Sequence, residues 1–199
     1  MTTAPGSYFD RAAPDYLAAS GRGLWGLVRE AEWRALRDRL DLAPDLAVLD
    51  AGCGAGYHTL RMRETQGVRI HGIDASPSMI EAYRTHGFAG TLSAIEEFQG
   101  ERRYDRILLA GVLEFVAEPG RVLESLARGL KTAGKIVCLV PTAGLAGALY
   151  RLVHEQWGCP TFIREPDWYF QLARRHELQA GELAAVFPMS SVFSLRRAP

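Results

Sequence analysis

At 199 residues, 48% hydrophobic and 23% charged, the chain has the length of one domain with a sheet covered on both faces and the composition of a soluble globular protein, which excludes a disordered or fibrous one. Lysine plus arginine and aspartate plus glutamate number 23 each, which argues against a general electrostatic surface for nucleic acid while leaving room for a local patch, so nucleic acid is not the expected partner. Cys53, Cys138 and Cys159 have no paired spacing for a disulfide framework or a metal, and no signal-like N-terminus or bilayer-long apolar run is present, so a cytoplasmic protein without metal or membrane insertion is expected.

In chain order, Ser20 to Gly23 is a glycine-rich break, and Leu24, Leu27, Val28, Ala31, Leu36 and Leu40 then recur at near-helical spacing, predicting one or two amphipathic helices. Ala47 to Asp50 reads as a short buried strand, followed by a glycine-rich turn and a helix from about Gly56 to Arg63. Val68 to Ile73 is a second strand. Ser76 and Pro77 suit the cap and first turn of the next helix, which uses Met79, Ile80 and Tyr83 inwardly and ends near Gly87. A weaker strand near Gly90 to Ala94 precedes a strong one at Tyr104 to Ala110, then a helix marked by Val122, Leu123, Leu126, Ala127 and Leu130. Ile136 to Val140 is a fifth strand, stopped by Pro141. Helices over Leu145 to Trp157 and around Trp168 to Arg175 lead to possible strands at Leu178 to Ala180 and Val192 to Leu195. Strands alternating with helices predict a mostly parallel sheet.

Two local patterns point to chemistry. In Val48-Leu49-Asp50-Ala51-Gly52-Cys53-Gly54-Ala55-Gly56 a buried strand runs into a turn where side chains would obstruct a ligand or force an unfavourable backbone. The next helix N-terminus presents unpaired backbone donors. In Gly72-Ile73-Asp74-Ala75-Ser76 the carboxylate ends the following strand, where it can accept from two ribose hydroxyls. Each has a bland alternative, close packing for the glycines and helix capping for Asp74. Together they favour an adenosine site.

The ordered runs VLDAGCGAG, GIDASPSMI, YDRILLAGVLEFV and LARGLKTAGKIVCLVP, with SYFDRAAPDY before them, resemble class I S-adenosylmethionine-dependent methyltransferases of the small-molecule, ubiquinone-biosynthesis-like group. The resemblance covers roughly Tyr8 to Thr142. It implies a Rossmann-like fold with seven strands and a reversed C-terminal edge strand, S-adenosylmethionine as cofactor and S-adenosylhomocysteine as product. It also implies that Asp50, Ala51, Cys53 and the backbone at Gly52, Gly54 and Gly56 hold the methionine end. Asp74 matches the ribose-binding acid, Ala75, Ser76 and Met79 the same cleft, and Ala110 and Gly111 the segment near the cofactor amino group. Where relatives often carry a polar residue after the third strand, this chain has Ala94, so backbone at Ala94 and Ile95 with stacking by Ile95 is expected at the adenine. Many relatives have His where this chain has Phe115, which is a wall and not a base.

Methyl transfer needs in-line alignment and exclusion of water, not a covalent nucleophile. Tyr8, Phe9 and Tyr16 are expected to form an N-terminal cover. Tyr150, His154 and Trp157 share a helical face by their spacing and, with Phe115, suit a small aromatic or apolar methyl acceptor reacting at oxygen or nitrogen. His154 beside Tyr150 is the candidate to orient or deprotonate a hydroxyl, although aromatic packing accounts for each of these residues as well. His58, just after the glycine turn, is a candidate cavity residue, and His71 a structural one. The expected organisation is a single domain over 1–199, with a helical cover in 1–40, a cofactor core in 45–142 and substrate-side helices and strands in 143–199. Two alternatives stay open: a noncatalytic S-adenosylmethionine-binding interaction protein, and a nicotinamide-dependent oxidoreductase. The second fits less well, because the turn is GxGxG and not GxGxxG. The acceptor's identity and the oligomeric state are left open.

Overall fold

The computed structural model describes residues 9–10 and 23–197; Tyr8 and Tyr16 lie outside the described residues. Seven strands join in one sheet: β1 (Ala47–Ala51), β2 (Arg69–Asp74), β3 (Ala89–Leu92), β4 (Tyr104–Ala110), β5 (Leu130–Pro141), β6 (Leu178–Val186) and β7 (Ser190–Arg197). Their order is β3-β2-β1-β4-β5-β7-β6. Pairings from β3 through β5 are parallel, and β7 runs antiparallel to both β5 and β6.

The helices are α1 (Gly23–Leu40), α2 (Tyr57–Met62), α3 (Pro77–Thr85), α4 (Pro119–Gly129), α5 (Leu145–Gln156) and α6 (Pro166–Arg174). Successive strand residues face opposite sides, so β1 sends Val48 to one core and Leu49 to the other, and β4 divides Leu108 and Leu109 likewise. On one side Trp33, Leu36 and Leu40 of α1 and Met62 of α2 cover the sheet; on the other, α4 and α6 bring Val122, Leu126 and Tyr169. Burial on both faces is why the central strands read as continuous apolar runs.

Three differences from the sequence expectation have physical reasons. The reversed C-terminal strand is not the edge: β7 lies between β5 and β6. β7 is almost wholly buried, with Val192, Phe193 and Leu195 fully enclosed, whereas the middle of β6 is exposed, so the strand carrying the large core side chains takes the interior and the strand of mostly small residues the rim. Second, β5 begins at Leu130, where the chain leaves α4 and pairs with Tyr104 before an irregularity restores register at Arg106 and Lys135. Third, His58 packs under Trp33 and does not line the cavity described below. Burial pushes its imidazole down to about 3, so the ring is neutral. His71 is structural, its ring nitrogens within hydrogen-bond reach of Tyr104 Oη and Thr91 Oγ1.

Candidate functional site

The site is built on the turn after β1. Gly52, Gly54 and Gly56 all have positive φ (77°, 52° and 96°), a region costly for residues with a side chain. A side chain at Gly52 would also collide with Val112. Gly52 and Cys53 donate their amides to the Ile73 carbonyl at 2.8 and 3.0 Å, tying the turn to the end of β2. Asp74 completes the tie: its Oδ2 accepts from Gly54 N and its Oδ1 from Ser76 N, both at 2.9 Å. Burial raises its carboxyl above the ordinary range, against the lowering effect of those amides. A carboxylate has about four lone-pair positions, so acceptor capacity remains for a ligand's hydroxyls.

Behind the turn, Thr59 donates to Asp50 Oδ2 at 2.6 Å, which leaves Tyr83 Oη as the donor to Thr59 at 3.0 Å. Gly72 makes room for this arrangement, since a Cβ there would stand 2.5 Å from Tyr83 Cζ and 2.7 Å from Cys53 Sγ. Burial pushes the Asp50 carboxyl up to about 7.

In front of the turn lies a cavity of about 370 Å³ at the carboxyl ends of β1, β2 and β4, where the strand order reverses. Gly52, Gly54, Asp74, Ala75, Met79, Ala94, Ile95, Ala110 and Gly111 line it together. Asp50, Ala51, Cys53, Gly56 and Ser76 stand behind that wall and support it. Ser93 and Glu96, which the motif reading passed over, bring polar groups to the wall beside Ala94.

The far side is aromatic. Phe9 meets Phe115 edge-on with ring centroids 5.3 Å apart, Phe115 lies 5.4 Å from His154, and His154 lies 4.1 Å from Tyr150. His154 Nδ1 sits 2.9 Å from the Tyr150 carbonyl, which can only accept, so Nδ1 carries the proton and the lone pair is on Nε2. Burial lowers this imidazole's pKa, so it is neutral near pH 7. Trp157 does not join the ring series; it is 57% exposed at the end of α5.

Two further residues belong here. Asp10 lines the cavity and accepts from Ser76 Oγ at 2.5 Å and Ser78 N at 3.2 Å, clipping the segment that carries Phe9 to the start of α3. Glu114 is 1% exposed, accepts from Tyr150 Oη at 3.2 Å, and is pushed up to about 7 by burial. The sequence signals were slight: Asp10 follows Phe9 in SYFDRA, and Glu114 precedes Phe115.

A methyltransferase-domain family profile matches residues 26–187. The chain is 26% identical over 160 residues to the ubiquinone biosynthesis O-methyltransferase of Xylella fastidiosa (strain 9a5c), a match covering 76% of this chain and 65% of that protein. It is also 26% identical over 172 residues to the tRNA U34 carboxymethyltransferase of Idiomarina loihiensis, covering 75% of this chain and 53% of that one. The chain therefore spans about half to two thirds of the length of these curated relatives. Among solved structures, a methyltransferase in complex with the Trm112 methyltransferase activator of Haloferax volcanii superposes with a TM-score of 0.80 at 19% identity, covering 96% of this chain and 98% of that one. Other structures of this fold contain S-adenosylmethionine or S-adenosylhomocysteine. The cavity fits that cofactor: a bare glycine cradle lies on one side, a carboxylate with spare acceptor capacity on another, and its size falls within the range of about 300–1,000 Å³ usual for small-molecule sites. With its mostly parallel seven-stranded sheet and this cavity, the chain belongs to the S-adenosylmethionine-dependent methyltransferases.

Proposed function

We propose that the protein methylates a small planar aromatic or apolar molecule at oxygen or nitrogen, working in the cytoplasm. The observation that carries this reading is the ring series Phe9, Phe115, His154 and Tyr150 adjoining the glycine-lined cavity. A flat apolar wall suits a planar acceptor, and the balanced charge of the chain favours a small molecule over nucleic acid. Three free, buried cysteines are in keeping with a reducing compartment.

In this reading Asp74 holds the ribose hydroxyls, and Gly52, Gly54 and Gly111 let the cofactor approach the backbone. Asp50, Ala51, Cys53, Gly56 and Ser76 keep the turn in shape; Met79, Ala94, Ile95 and Ala110 supply contact surface. When bound, S-adenosylmethionine supplies a methyl carbon already activated by a positively charged sulfur. The protein's own work is then alignment and exclusion of water. Phe9 and Phe115 close one side, while Tyr150 and His154 orient the acceptor. In one domain, 45–142 serve as the cofactor core and 143–199 as the acceptor side with Trp157 at the rim. The cover is assigned to the segment of Phe9; Tyr8 and Tyr16, assigned to it from the sequence, lie outside the described residues.

The test is formation of S-adenosylhomocysteine by the full chain with a panel of phenols, aromatic amines and short RNA hairpins. Turnover with one or more planar small molecules and none with the hairpins is expected. Turnover confined to RNA would overturn the acceptor reading.

A further inference from the structure

We propose that Glu114 is the proton acceptor on the acceptor side of the site, and that it selects small molecules bearing a free O–H or N–H at the atom to be methylated. This rests on the methyl-transfer reading above. Glu114 is 1% exposed, and Tyr150 Oη donates to its Oε1 at 3.2 Å, yet its Oε2 has no hydrogen-bond partner among the described residues. A buried carboxylate oxygen without a donor is rare and calls for one. The position says where that donor enters. A Cβ on Gly111, a cavity-wall residue, would stand 3.6 Å from Glu114 Oε1, so the carboxylate stands directly behind the Gly111 backbone, with no side chain there to separate it from the cavity. Its chain neighbour Phe115 lines the same cavity and carries the ring contacts to Phe9 and His154.

The groups around it suit proton exchange near neutrality. Arg29 and Glu32 on α1 act on Glu114 in opposite directions, with burial as the main cause of its raised pKa; Tyr150 beside His154 on α5 donates to it, and Cys159 and Tyr169 each feel its charge. In the step, Glu114 Oε2 takes the proton from the acceptor's heteroatom as that atom forms its bond to the methyl carbon. The carbon–sulfur bond breaks with its electron pair going to sulfur, which discharges the sulfonium and leaves the proton on Glu114.

The test reads binding, not turnover. The full chain, saturated with S-adenosylhomocysteine, is titrated by ligand-observed NMR with catechol against 1,2-dimethoxybenzene, 2-naphthol against 2-methoxynaphthalene, and indole against 1-methylindole. At pH 8 the free O–H or N–H member of at least one pair should bind about ten-fold more tightly, as a hydrogen bond to a charged group implies. That preference should fade as pH falls through about 7, where Glu114 becomes protonated. Glu114→Gln should abolish the preference while keeping affinity for S-adenosylhomocysteine. Tyr150→Phe removes a donor that stabilises the carboxylate and should move the pH midpoint upward. No discrimination in any pair, a preference that survives Glu114→Gln, or an unmoved midpoint in Tyr150→Phe each overturns the proposal. Failure of the unaltered protein to bind S-adenosylhomocysteine at all would instead overturn the methyl-transfer reading beneath it.

Discussion

Asp74 holds two amides of its own chain, at Gly54 and Ser76, and also faces the cavity. Removing it should therefore cost cofactor affinity in two ways, by losing a charged acceptor and by loosening the turn. At about 1.5–3 kcal/mol for a hydrogen bond to a charged group, Asp74→Ala should weaken S-adenosylmethionine binding roughly 10- to 100-fold in calorimetry, with the fold retained by circular dichroism. Unchanged affinity would remove Asp74 from the cofactor site. Gly72 tests packing separately. A methyl group there meets Tyr83 and Cys53 inside hard contact, so Gly72→Ala should lower stability by about 1–3 kcal/mol in urea titrations.

At the scale of elements, α3 is more than a connection between β2 and β3. Ser76 caps it by accepting from Met79 N at 3.1 Å and at the same time donates to Asp10. Ser76→Ala should cost about 1 kcal/mol of stability, as lost caps generally do. Asp10→Ala keeps the cap but frees the segment that carries Phe9. It should lower acceptor turnover several-fold while changing cofactor affinity little, as expected of a cover. Equal turnover would show that the clip has no catalytic role. In α5 the backbone makes a similar choice for His154: with Nδ1 committed to the Tyr150 carbonyl, the ring is fixed against Tyr150 and Phe115. The four-residue spacing of Tyr150 and His154 was legible in the sequence; that α5 leaves Leu145, Leu149 and Leu152 exposed was not. Helical periodicity ranks faces by apolarity, whereas here the face turned inward carries the hydrogen-bonding groups.

For the whole molecule, two enclosed carboxylates set a pH dependence. Asp50 is raised from 3.8 and Glu114 from 4.5, each to about 7, with burial the main cause in both. Between the ordinary and raised values the folded protein holds protons that the unfolded chain has released. Stability contributed by these groups is thus full at low pH and is lost as pH rises toward 7. The buried neutral imidazole of His58, held down to about 3, acts in the opposite direction up to its ordinary pKa, so the carboxylate contribution is read as a difference. From pH 4.5 to 7.5 the melting temperature of Asp50→Asn, whose amide oxygen still accepts from Thr59, should gain on that of the unaltered protein. A slope unaltered in Asp50→Asn would show that Asp50 is ionised throughout.

The central strands were open to reading because burial on both faces leaves a continuous apolar run, and the glycine turn because its positive-φ backbone demands glycine at Gly52, Gly54 and Gly56. Asp74 was open to reading because it ends a strand one helix after that turn. These are local constraints, and the sequence by itself determined them: an alternating parallel α/β core, and a cradle with a carboxylate at its edge. The tertiary structure alone decided that β7 lies inside β6, since both strands meet the length and apolar demands and only the enclosed core separates them. It alone set Glu114 against Tyr150, 36 residues away, and Asp10 against Ser76, 66 residues away. Neither partner leaves a mark in its own neighbourhood. A carboxylate reads as surface until the fold encloses it, and what the buried oxygen then requires is settled by the groups that closure brings within reach.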